Sequence, residues 1–217
     1  MLKIENTEVF GWEAAIRGMR NPINSWDKSD SGLAVDGYLY EYFDVGDNDY
    51  TLMMKLRNAG TDHRKFMRMI MVSFDVTSNH TWWAEFDTYK VGTVRNSCSK
   101  MHKIHAKEFT VDDFSTEGIE ECGGRVKRLF EKIVSELEIL RWLYNKSGEK
   151  KYWRAIIEML PMGYNLKATV MLNYEVLANI YKSRRNHKLY EWHTFCDWIE
   201  SLPYSKLITG KEKSDDN

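Results

Sequence analysis

Between Phe86 and His102 the sequence reads FDTYKVGTVRNSCSKMH, directly after the paired tryptophans Trp82 and Trp83. The stretch is small and polar, with Lys90, Arg95 and Lys100 spread through it. It suits either a solvated loop or the floor of a binding site. Cys98 lies among those bases, and nearby cations favour the thiolate, the reactive form of cysteine. A nucleophilic role also needs an orienting base, which the spacing does not supply. His102 and His105 stand three apart, as do His193 and Cys196, so on helices each pair would share a face and could hold part of a zinc site. Nothing sets the distance between the two pairs, and a surface or core role is the simpler reading. No metal site is assigned. GxSxG, P-loop and GxGxxG glycine patterns are absent, so the mechanisms they serve have no support.

The elements that must position these residues are mostly helical. Asp47 or Asn48 is placed to cap a helix through DYTLMMKLRNAG, with Gly60 as its stop. From Gly124 onward Val126, Leu129, Phe130, Ile133, Leu137, Leu140 and Leu143 recur at helical spacing, which predicts a long amphipathic helix. Two further helices are predicted, over about Leu166 to Arg185 and Lys188 to Leu202, with Pro161 ending the pattern before them. In the first, Leu166, Val170, Asn173, Leu177, Ile180 and Arg184 fall on one stripe, so an amide and a guanidinium share an apolar face. A buried arginine needs an anion. That anion is either an internal carboxylate or the phosphate or carboxylate of a ligand, whose shape suits the guanidinium fork. Strand signals are fewer: MVSFDV (Met71 to Val76) alternates as a half-buried strand, with GYLYEYFDV (Gly37 to Val45) as its expected partner. The fold class read from these elements is α+β, long helices packed on a small antiparallel sheet. One domain is expected over residues 1–209, with a charged C-terminal tail over 210–217.

Composition bounds the function. The 217 residues are 43% hydrophobic, with 8 Trp and 11 Met, enough for a core without a disulfide or metal staple. A net charge of −1 argues against a dedicated duplex-DNA binder and leaves room for a local basic pocket. The three cysteines form no CxxC pair and fit reduced thiols in a cytoplasmic protein. The N-terminal MLKIENTEVF has no apolar signal core, and no run approaches the ~18 apolar residues that would span a membrane.

Taken in order, these segments resemble the flavin-dependent thymidylate synthase family from roughly Gly60 to Leu202. The family's His-x-Ser-x-Leu-Glu-His segment falls on HRKFMRM, where His63 is kept and Lys65, Arg68 and Met69 replace the Ser, Glu and second His. The strand and helix that follow lead to the family's Arg-His-Arg signature, whose spacing lands on the opening stretch. Further on, a Leu-Pro turn precedes Asn173, Asn179 and Arg184 at the family's intervals, and YEWHTF echoes the next helix. The resemblance implies a homotetramer in which FAD carries hydride from NADPH, methylenetetrahydrofolate supplies one carbon, and dUMP is methylated without a protein nucleophile. It implies flavin contacts at His63, Thr88, Tyr89, Lys90, Asn173 and Asn179. It also implies nucleotide contacts at Thr93, Asn96, Lys100 and Arg184.

The signature itself is altered. Arg-His-Arg reads Thr88-Tyr89-Lys90, the first Ser is Thr93, Asn-Glu reads Arg95-Asn96, and the second Ser and its Arg read Cys98 and Lys100. Glu175 stands where the family carries an arginine two residues after Asn173. Lysine keeps the charge but loses the bidentate fork. Losing two charge-assisted hydrogen bonds, at about 1.5–3 kcal/mol each, weakens such a site by roughly a hundredfold or more. The sequence thus admits a divergent flavin-dependent enzyme, a non-catalytic nucleotide-binding or sequestering protein, or an interaction protein whose old cleft is filled. Tyr89 and the tryptophan pair could stack a base or flavin ring, or simply pack in a core or subunit interface.

Overall fold

The alternation that predicts a strand at Met71 runs on to Asn79, with Val72, Phe74 and Val76 fully buried and the residues between them half-buried. In the computed structural model, which describes residues 2–35 and 41–210, this strand is an interior strand of a four-stranded sheet. The chain runs β1 (Lys3–Phe10), α1 (Trp12–Arg20), β2 (Gly32–Val35), β3 (Glu41–Asp44), α2 (Asp47–Asn58), β4 (Met71–Asn79), α3 (His80–Phe86) and β5 (Val94–Ser97). It continues through α4 (Lys100–Lys103), α5 (Glu117–Glu121), α6 (Gly124–Ser147), α7 (Lys150–Met159), β6 (Asn165–Asn173), α8 (Tyr174–Arg184), α9 (Tyr190–Ser201) and α10 (Lys206–Thr209). The main sheet has the order β1-β4-β6-β5, and β2 pairs antiparallel with β3 in a separate hairpin. The class is α+β, as the sequence predicts.

Two compact units form, one from Met1–Glu5, Asp75–Thr88 and Arg95–Thr169, the other from Asn6–Phe74, Tyr89–Val94 and Val170–Asn217. In the first unit, Phe130, Val134 and Leu137 of α6 cluster with Ile156 of α7 and with Ile104, Phe109 and Phe114. Phe130 and Leu137 belong to the stripe that the helical spacing after Gly124 predicts, whereas Leu129 of that stripe is exposed and Val134, outside it, is buried; α6 ends at Gly148 in the left-handed conformation. In the second unit, Phe74 of β4 packs against Phe195 and Trp198 of α9, with ring centroids 6.0 and 4.5 Å away.

Three local expectations are corrected. The single helix expected over Leu166 to Arg185 is a strand followed by a helix: Ala168, Val170 and Leu172 are buried in alternation with exposed Lys167, Thr169 and Met171. That period of two belongs to a sheet, and helical spacing resumes only after Asn173. GYLYEYFDV does not pair with β4. Its described part forms β3, whose partner is β2, and Gly37 to Tyr40 lie outside the described residues. The cap of α2 is Gly46, with Asp47 and Asp49 inside the first turn, where carboxylates favour the helix dipole. Tail residues 211–217 also lie outside the described residues.

Candidate functional site

Asn173 makes the turn from β6 into α8. Its backbone is extended, and its side-chain oxygen accepts the Val176 N–H at 3.0 Å, satisfying one of the orphan donors of the helix start. The amide therefore serves as a helix cap, not as part of a helical stripe. The segment Tyr89–Val94 comes up against this helix start at Gly92. A Cβ added at Gly92 would stand 3.1 Å from Asn173 Nδ2 and 3.2 Å from Val176 Cγ2, at φ +77°. Only glycine meets both the spacing and the left-handed backbone without strain. Beside it the Thr93 hydroxyl is buried and has no hydrogen-bond partner among the described residues.

Arg184 closes α8 and lies next to the same segment. Its Nε–H donates to the Tyr89 hydroxyl at 2.9 Å, while its guanidinium carbon lies 4.9 Å from the ring centroid of Trp192 and 5.6 Å from that of Tyr89. The cation is thus fixed between a phenol and an indole, with Trp192 itself fully buried. The sequence asks for an anion at Arg184, which is half-buried. Part of the answer is aromatic.

The carboxylate nearest the helix start is the chain's own. Glu175 is 7% exposed in the first turn of α8, and Arg64 Nε stands 3.0 Å from one of its oxygens and 3.1 Å from the other. Only the second contact has hydrogen-bond geometry, so among the described residues Oε2 is held by charge alone. An acid here satisfies the positive end of the helix, and the arginine cancels its charge.

Of the residues predicted for the site, Tyr89, Thr93, Asn173 and Arg184 are thus gathered around the start and end of α8 and the loop beside it. Lys90 is exposed in that loop, Asn179 is exposed on α8, and His63 is exposed at the head of the short 3-10 helix Arg64–Arg68. In the other unit, Thr88 donates its hydroxyl to the Glu85 carbonyl at 2.7 Å, ending α3, and Asn96 is exposed on β5. Lys100 begins α4, and its side chain lies outside the described residues. Arg95 lies 4.5 Å over the Trp83 ring and 2.9 Å from Asp87. Trp192 and Arg64 carry no motif, and only their long-range contacts reveal them.

Among the described residues no group of three or more His, Cys, Asp or Glu is placed to hold a metal ion. His193 Nε2 lies 2.6 Å from the His187 carbonyl, and burial pushes the Cys196 thiol up to about 11. No helix of the described residues is long and apolar enough to cross a membrane.

No protein-family model and no curated protein matches the chain. Solved structures do. Two structures of flavin-dependent thymidylate synthase ThyX from Helicobacter pylori, both with FAD and dUMP, align at TM-scores of 0.69 and 0.68. They cover 96% and 97% of this chain and 98% of their own, at 16% identity. The fold is that of a flavin-dependent thymidylate synthase. At this identity the likeness concerns the path of the chain, so the chemistry of the thymidylate synthase fold here must be argued from its own side chains.

Proposed function

We propose that this chain binds a flavin dinucleotide and a pyrimidine nucleotide on the thymidylate synthase fold, with Tyr89, Lys90, Thr93, Asn173 and Arg184 at the binding site. The observation that carries this reading is an alignment over nearly the whole chain with proteins complexed with FAD and dUMP. The unpartnered Thr93 hydroxyl lies in the loop beside the start of α8 and the fixed Arg184 guanidinium at the helix end, and each fits such a ligand. Stacking on Trp192 and the bond to Tyr89 fix the guanidinium plane before a phosphate arrives, which lowers the ordering cost of binding. Tyr89 offers a ring for stacking, Lys90 an exposed positive charge, and Thr93 a donor or acceptor for a base or sugar. FAD, when bound, supplies hydride transfer, and the protein's part is binding and orientation.

One observation favours binding without thymidylate synthesis as the second reading. The buried Glu175 puts a negative charge where the resembled family carries an arginine, and Arg64 brings it to neutrality without providing a free cation. The two readings separate in one experiment. The purified protein is examined for a flavin absorption band near about 450 nm, then assayed for dTMP formation from dUMP with NADPH and methylenetetrahydrofolate. A flavin band with product formation supports the enzyme. Nucleotide binding without product supports the binder. Failure to bind either ligand removes both readings. A homotetramer is the expected assembly, and a mass in light scattering near the 25.7 kDa of one chain contradicts it.

A further inference from the structure

Away from these residues, a cavity of about 630 Å³ is lined by Trp12 of α1, by Glu41 and Phe43 of β3, and by Tyr204. Hairpin register explains why Glu41 and Phe43 act together. They pair with Val35 and Leu33, two positions apart, so their side chains leave the same face of β3. Trp12 and Tyr204 meet nearly edge to face, with centroids 5.1 Å apart and planes at 69°. Both rings are anchored from behind. The Tyr204 hydroxyl accepts the Val45 N–H at 3.0 Å and lies 3.3 Å from Asp44 Oδ1, to which it donates. Trp12 rests on Tyr174 at 5.4 Å, and the Tyr174 hydroxyl donates to the Pro203 carbonyl at 2.6 Å. Tyr204 also holds a left-handed φ of +51°, a strained conformation for a bulky residue, which persists only when its surroundings fix it.

The charge of the lining is as informative as its shape. Glu41 is the one charged residue among the described residues that line the cavity. Among the described residues, an anionic ligand would meet a carboxylate and no cation, and a purely apolar one would leave that carboxylate unused. Aromatic faces attract cations through their quadrupole, and a bulky alkylated ammonium sheds its water more readily than a bare one. We propose that this cavity binds a small organic cation of the quaternary or methylated ammonium class, with Trp12, Phe43 and Tyr204 around the cation and Glu41 balancing its charge. The proposal is independent of the nucleotide reading.

The test is a titration of the full chain with choline and with 3,3-dimethylbutanol, in which carbon replaces the charged nitrogen, followed by calorimetry and tryptophan fluorescence. Saturable choline binding is expected, with the neutral isostere at least about tenfold weaker. Phe43→Leu keeps the bulk and removes the ring, and Glu41→Gln removes the charge; each is expected to weaken choline about fivefold or more. A peptide bearing trimethyl-lysine, run alongside, shows by its relative affinity whether the cation arrives free or on a protein side chain. Absence of saturable choline binding, or equal affinity for choline and its isostere, overturns the proposal. That comparison uses the unaltered protein, so it decides the matter even where a variant fails to fold.

Discussion

Arg64 and Glu175 are 111 residues apart in the chain and form a mostly buried ion pair at the first turn of α8. The acid alone would be an uncompensated charge in the interior, and the arginine alone would be its mirror image. The pair therefore reads as a unit whose two charges cancel. Breaking a buried pair by removing one partner typically costs about 3–5 kcal/mol. Arg64→Ala is accordingly expected to lower unfolding stability by about 3 kcal/mol in urea, with Arg64→Ala/Glu175→Ala recovering part of the loss. If the two single variants and the double variant fall in an additive series, the coupling is absent.

Arg20 and Asp49 make a further buried pair, at 2.5 Å and with side chains 4% and 0% exposed. Burial raises the Asp49 pKa. Hydrogen bonds from Ser29, Ser31, Arg20 and the Asp30 N–H outweigh burial and hold the carboxyl below its ordinary value near 3.8. A depressed folded pKa contributes stability above the unfolded value, and that stability is lost as pH falls through the lower folded value. Asp49→Asn should therefore destabilise by about 3 kcal/mol at neutral pH, with the gap to the parent closing below pH 3.8. A gap that stays constant down the acid limb contradicts this assignment.

Gly92 makes a local prediction about the loop. Alanine there would need a φ of +77° and a Cβ 3.1 Å from Asn173 Nδ2. A loss of about 1–2 kcal/mol is expected for Gly92→Ala. Thermal unfolding measures it, and a neutral or stabilising substitution would mean that the loop does not pack on the helix cap.

The thiols divide by burial. Cys98 and Cys122 are exposed, whereas Cys196 is fully buried and its thiol is pushed up to about 11 by that burial. A thiol reagent at pH near 8 should label two cysteines quickly, and the third only on unfolding. Rapid labelling of all three would show that α9 opens readily.

Much of this was legible in the sequence where a pattern is long or local. The stripe from Val126 to Leu143 has length enough to specify α6, and the alternation from Met71 specifies β4. The error at Leu166 to Arg185 arose at a junction. Leu166, Val170, Asn173 and Leu177 satisfy helical spacing by coincidence, while buried Ala168, Val170 and Leu172 satisfy the strand period over the same residues. Asn173 is the punctuation between them, a residue type that prefers caps. The family resemblance implied Tyr89, Thr93 and Arg184 as ligand contacts, which the proposed site uses, but no local pattern could reveal the contacts of Arg64 or Trp192. Their roles depend on contacts made after folding, and a lone arginine or tryptophan looks the same in sequence whatever it meets.

Arg184→Ala is the variant that speaks to ligand binding. The side chain is only half-buried, so the fold should persist, whereas loss of the fixed guanidinium removes the proposed phosphate contact. Nucleotide affinity is expected to fall about a hundredfold or more, with Arg184→Lys intermediate because it keeps charge without the fork. Unchanged affinity in Arg184→Ala would separate the arginine from the ligand.

The most direct measurement is a calorimetric titration of the purified protein with FAD, and then with dUMP in the presence and absence of FAD. Saturable binding of both, with dUMP binding lost in Arg184→Ala and the circular dichroism unchanged, is the predicted result. Absence of saturable binding by either ligand would contradict the account and leave the thymidylate synthase fold here without its nucleotide site.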